Sequence, residues 1–192
     1  MTLSIEQFCD RYKTCEEGRE WALRNCESMD EVWQTAKPEW LIWIATREGV
    51  LTDKELRLFA VWCARQVQHL MDDQRSINAL DVAELHINGF ATNEELTAAR
   101  AAADAAWVAA AAAWDADWAA AAARAAAWAS SGAYAAAAAD AGSAAAAVAD
   151  RAAAAAARAA ANAAWAGNEV YVVARECQAV WLRENCKPKL FE

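Results

Sequence analysis

The chain has 192 residues, a formal net charge of −9 and an acidic pI of about 4.8, which argues against a general grip on nucleic-acid phosphates, since that needs clustered Lys and Arg. Its length suits one sizeable core. Although 58% of the residues are hydrophobic, no run of about 18 strongly apolar residues lacks charge, and Met1–Cys9 has no basic start followed by an apolar block, so we expect no membrane span and a cytoplasmic protein.

In chain order the pattern predicts helices over 5–14, 16–26, 30–36, 39–48, 53–71, 74–88, 93–129, 143–166 and 169–186. Four starts carry the S/T-x-x-E/Q box, in which a hydroxyl caps a backbone N–H and the acid or amide reaches back: Ser4 with Gln7, Ser28 with Glu31, Thr52 with Glu55, and Thr92 with Glu95. Leu3 and Phe8 suit a hydrophobic staple on the first. Pro38 fits a first helical turn, and Gly49 and Gly89 sit where helices should stop. With no alternating β-branched run anywhere, the fold class is all-α. We expect an N-terminal helical bundle over 1–92, followed over 93–192 by long Ala/Trp-rich antiparallel helices packing against it as one unit.

Ala98–Ala166 dominates the second half: 46 of its 69 residues are alanine, the strongest helix former because it loses no side-chain entropy. At 100° per residue, Trp107, Trp114, Trp118 and Trp128 form one aromatic stripe, and Ala101, Ala105, Ala109 and Ala112 lie opposite. Both faces therefore read as buried. The stripe is the candidate interface, and a large aromatic stripe leads us to expect a homo-oligomer. Turn signals at Ser130-Ser131-Gly132, Gly142-Ser143 and Gly167-Asn168 suggest antiparallel return passes. A short echo links Glu20–Cys26 with Trp181–Cys186, consistent with paired end helices, shared helix-end chemistry or chance.

The six cysteines show no C-x-x-C spacing and are expected to be reduced, packing as small hydrophobes without a metal. On the helix predicted over 53–71, Leu56, Phe59, Ala60, Cys63, Val67 and Leu70 make the core side. Leu58, Trp62, Arg65 and His69 make a second cluster. Arg65, His69 and Asp73 follow at i, i+4 and i+8, with Arg75 and Glu84 soon after, so they stack if the helix persists. Such a group suits two uses: clamping an anionic or planar ligand by guanidinium fork, indole face and imidazole proton, or tying one helical hairpin together. His86 stands alone and reads as packed or solvated. No G-x-S-x-G, H-E-x-x-H or phosphate-cradling glycine loop is present, so we expect neither an enzyme nor a cofactor.

The run Leu56-Arg57-Leu58-Phe59-Ala60, Cys63-Ala64-Arg65, His69-Leu70, Asp73, Arg75-Ser76, Ala79, Ala83-Glu84, Gly89, Ala91-Thr92, Glu94-Glu95-Leu96 and Ala99-Arg100 resembles a family of alanine-rich helical immunity proteins of bacteria and phages. The alanine tract and the closing Trp181–Pro188 segment look similar too, so the resemblance covers most of the chain. Trp62 and Gln68 depart from the pattern usual in that family. The resemblance implies a small protein that binds and neutralises a toxin or defence component, with Arg65, His69, Asp73, Arg75, Ser76 and Glu84 as motif positions. The first expectation is thus a non-enzymatic binding protein whose acidic surface suits a basic partner protein. A phage-type sponge sequestering a small, anionic, nucleotide-like immune signal is the alternative, and a structural, self-associating helical protein is the third reading.

Overall fold

The computed structural model describes residues 3–71, 73–110 and 167–189, all helices and connections with no strand among them. The helices are α1 (Ile5–Tyr12), α2 (Glu16–Asn25), α3 (Met29–Thr35), α4 (Pro38–Ala45), α5 (Asp53–Gln66), α6 (Gln74–Ile87), α7 (Asn93–Ala110) and α8 (Gly167–Asn185), with a 3₁₀ turn at Gln68–Leu70. The all-α class read from the sequence is the class observed. The expected helix over 143–166 and the expected continuation to 129 lie outside the described residues, as do Trp114, Trp118, Trp128 and the side chain of Trp107.

Helix starts follow local chemistry. Ser4 and Gln7 form a complete reciprocal cap, as do Thr52 with Glu55 and Thr92 with Glu95. Ser28 accepts from the Glu31 N–H at 3.2 Å, but the Glu31 carboxylate takes the Glu27 N–H instead of returning to Ser28, so this box closes only halfway. Two starts use caps the sequence reading missed: the Cys15 thiol accepts from the Gly18 N–H, and Asp73 accepts from the Arg75 N–H.

One large buried side chain from nearly every helix meets in the centre: Phe8, Trp33, Leu41, Phe59, Leu80, Leu96 and Leu182. Each removes on the order of 1.5–3 kcal/mol worth of apolar surface from water. Residues of both predicted segments share this core, because Leu96, Ala179, Leu182 and Cys186 belong to the same cluster as residues 5–83. Helix α8 closes the bundle against α4 and α5. The Trp181 ring lies 5.5 Å from Phe59 and 5.7 Å from Trp62. Arg183 donates to the Trp33 and Ala36 carbonyls at 3.2 and 2.6 Å, satisfying acceptors at the end of α3 that no helical N–H can reach.

Three expectations need correction. Helix α5 stops at Gln66 rather than 71: Val67 takes φ −112° and ψ 12°, and the chain tightens into the 3₁₀ turn. Apolar periodicity continues through Val67 and Leu70 without Gly or Pro, so nothing in the pattern marks this break. Helix α4 likewise ends at Ala45, before 48. The alanine face of α7 is not buried on both sides. Leu96, Ala99, Ala103 and Ala106 are buried, while Ala101 and Ala105 are exposed. Helix α6 covers one side of α7, with Ala79 packed on Ala103, and the buried stripe follows Leu96 at helical spacing.

The internal echo has a physical basis. Asn25 and Asn185 are the last residues of α2 and α8, and each Nδ2 donates to the carbonyl four residues back, on Trp21 at 2.7 Å and Trp181 at 2.9 Å. Cys26 and Cys186 then follow as buried residues. It is shared helix-end chemistry, a side-chain amide closing a last turn. All six cysteines are free thiols; Cys9, Cys26, Cys63 and Cys186 are buried, whereas Cys15 and Cys177 are exposed.

Candidate functional site

The residues singled out by sequence gather around α5–α7, though not as a single stack. Because α5 ends at Gln66, His69 falls on the 3₁₀ turn, exposed, and Asp73 starts α6. The predicted Arg65–His69–Asp73 ladder therefore does not form. Arg65 turns instead toward α6, donating to Asp81 at 2.7 Å, Glu84 at 2.9 Å and Gln68 at 2.8 Å. Burial works to lower the Arg65 pKa, but the hydrogen bonds to the two carboxylates outweigh it and the pKa is raised. Asp73 pairs with Arg75 through both carboxylate oxygens, which together with the backbone hydrogen bond pulls its pKa down to about 2. The Trp62 ring stacks instead on Trp181, at an interplanar angle of 27°. Of the six predicted residues, Arg65 meets Glu84 and Asp73 meets Arg75; Trp62 and His69 join neither pair.

The remaining motif positions explain themselves as packing. Ser76, Ala79, Leu80 and Ala83 are buried and recur at i, i+3, i+4 and i+7, the spacing of one helix face. Small residues there let α7 approach. His86 joins the two helices, its Nε2 lying 3.0 Å from Asn93 Oδ1.

What this bracing presents is a shallow apolar groove of about 390 Å³, between Val82 and Leu85 of α6 and Ala98, Ala99 and Ala102 of α7, with Asn78 and Glu95 adding polar atoms. At its head stands Phe90, 79% exposed, with Leu85 47% exposed. The chain puts Phe90 there deliberately. Gly89 has φ +80°, a left-handed conformation that side chains disfavour. It permits the Phe90 N–H to reach the Leu85 carbonyl at 2.8 Å and the Gly89 N–H to reach His86 at 3.0 Å, the paired bonds of a Schellman turn. In that turn the residue after glycine and the one five before it come together, and Phe90 and Leu85 do line one groove. The sequence pattern marks Gly89 as a stop and does not single out Phe90. The available signal was a bulky apolar residue between a helix-ending glycine and the Thr92 cap, where no core demands one. The surroundings are acidic: residues 74–110 hold five carboxylates against two arginines.

A second polar group missed by sequence lies inside. Arg175 of α8 is buried, donating to Tyr171 Oη at 3.0 and 3.2 Å and to Gln178 at 3.2 Å. Burial holds its pKa below the usual arginine value. Burial also pushes the Cys63 thiol well up, against the opposing influence of Arg175 and a hydrogen bond with Gln178. A thiol kept protonated is a poor nucleophile. Among the described residues no group of three His, Cys, Asp or Glu could hold a metal ion, and no helix is long and apolar enough to cross a membrane.

No protein-family model, curated protein or solved structure matches the chain.

Proposed function

We propose that this protein is a non-enzymatic binding protein of the immunity kind, which neutralises a basic partner protein by seating it on the α6–α7 groove. The observation that carries this reading is Phe90, held almost wholly in solvent by a glycine turn at the head of an apolar groove. Exposed aromatics clustered with aliphatic neighbours are the usual anchors of protein interfaces. The carboxylate excess over residues 74–110 favours a positively charged partner, since opposite potentials speed encounter. The 56–100 block fits as well. Arg65 with Glu84, the buried Ser76, Ala79 and Ala83, the Gly89 turn and the Thr92–Glu95 cap are the parts that set how α6 and α7 meet.

A sponge for a nucleotide-like anion at Trp62, Arg65 and His69 has less support, because two carboxylates already hold the Arg65 guanidinium and Trp62 stacks on Trp181. Homo-oligomerisation through the tryptophan stripe would concern Trp107, Trp114, Trp118 and Trp128, whose side chains lie outside the described residues.

The test places a photo-crosslinking amino acid at position 90 in cells that carry the protein, identifies the adduct and titrates that partner, purified, against the wild type and Phe90→Asp. A saturable one-to-one complex weakened at least about ten-fold in Phe90→Asp is expected. A partner that binds both forms equally, or adducts in no fixed proportion, would overturn the reading.

A further inference from the structure

Helices α1–α4 surround a second cavity, of about 470 Å³, remote in sequence from the α6–α7 groove. Protein interiors close to crystal-like density with few voids larger than a water, so a space of this size belongs instead with small-molecule sites of roughly 300–1,000 Å³. Its lining is graded in polarity. Ile5, Phe8, Ala22, Met29, Val32 and Ile44 are buried, and in the buried part of the lining the only side-chain heteroatoms are the sulfurs of Cys9 and Met29. Trp21, Trp40 and Trp43 are half-buried and form the walls. Lys13, Cys15 and Glu39 are exposed and form the rim. The Thr14 hydroxyl oxygen is covered by protein and offers the cavity nothing. Gly18 keeps the rim open, since a Cβ there would stand 3.3 Å from Cys15 Sγ and 3.8 Å from the Trp40 ring.

We infer that this cavity takes the hydrocarbon chain of a single-chain amphiphile and leaves the polar head at the rim. A site that orients a polar ligand does so with a few placed donors and acceptors. The buried side chains here supply none, so apolar area is what they can recognise. A polar head buried among them would lose its water without a replacement, and it therefore stays outside with Lys13 and Glu39. The wall geometry favours a chain over a flat ring. Trp21 and Trp40 lie 5.3 Å apart but tilted by 52°, and Phe8 meets Trp43 at 6.5 Å and 78°, so neither pair makes the parallel slot that would hold a ring face to face. A flexible chain needs no such slot, and the Met29 thioether adapts to it. Volume sets its length. A methylene fills about the 30 Å³ that a water takes in the liquid, so roughly 15 carbons fit and a two-chained lipid does not. This site is independent of the partner-binding reading and stands or falls without it.

The test titrates the full-length protein with the straight-chain alcohols butanol, hexanol, octanol and decanol, whose head is constant while the chain grows. Calorimetry reads affinity, and peptide mapping after iodoacetamide reads location, because Cys15 is exposed at the rim while Cys177 is exposed on α8. Affinity should rise about four-fold with each added methylene. At ten times its Kd, octanol leaves roughly a tenth of the sites open, so Cys15 alkylation slows about ten-fold while Cys177 keeps its rate. Ala22→Phe puts a ring into the cavity and should weaken octanol by about ten-fold or more. Phe90→Asp, which alters the other groove, leaves both readouts unchanged. Should Ala22→Phe lose its helicity, the alcohol series and the Cys15 protection of the wild type decide alone. The inference is overturned by an affinity that does not grow with chain length, by two cysteines protected alike or not at all, by a folded Ala22→Phe that binds octanol as the wild type does, or by loss of binding in Phe90→Asp.

Discussion

At the scale of single residues, the ion pairs around α5 and α6 show how much a local break redirects. Asp73 caps α6 and pairs with Arg75, and its carboxyl is depressed to about 2 from the ordinary 3.8. A carboxyl whose pKa is lower in the folded chain than in the unfolded one stabilises the fold above the unfolded value and loses that contribution as pH falls through the folded value. The window here runs from about pH 4 down to about pH 2. Asp73→Asn retains a good helix cap but cannot titrate. Its melting temperature should fall below that of the wild type at pH 6 and converge with it by pH 2; a gap that stays constant across that range would sink the assignment. The residue types of this region were legible in the sequence. Their geometry was not. A one-turn difference in where α5 ends moves His69 and Asp73 off the Arg65 face and brings in Asp81, whose role no spacing rule from a continuous helix would suggest.

At the scale of elements, helix starts were readable because a cap is local chemistry: a hydroxyl and an acid or amide three residues apart suffice to place α1, α5 and α7. Helix ends were less readable, since Val67 ends α5 with no Gly or Pro to announce it. Gly89 is the exception, and its conformation can be tested apart from its packing. Nothing lies within 4 Å of a Cβ built there, so Gly89→Ala meets no clash and suffers only the left-handed backbone at φ +80°. We expect it to cost about 1–2 kcal/mol in urea denaturation. Gly89→Asn should cost less, because asparagine tolerates that conformation better. Equal stability of Gly89→Ala and wild type would show that the turn relaxes and that Phe90 is not fixed by it.

At the scale of the whole molecule, the described chain is closed by its two distant parts. Arg183 meets the Trp33 carbonyl across 150 positions, Lys189 donates to the Val50 carbonyl, and Leu182 is fully buried among side chains of the N-terminal helices. That α8 covers α4 and α5 in particular could not be read from its composition, because an amphipathic helix declares a buried face but not the surface that covers it. The packing makes a sharp demand. If α8 is part of the single cooperative core, Leu182→Ala destabilises every helix at once, by about 2–5 kcal/mol as for other leucine truncations at fully buried sites. Urea denaturation of this variant, followed by helicity and by thiol labelling of Cys63 within α5, separates the cases. Coincident transitions, both shifted to lower urea, follow from one shared core. Retained protection of Cys63 after part of the helicity is lost would mean that α1–α6 hold together without α8, and that the C-terminal helix is a lid on a finished bundle rather than a wall of it.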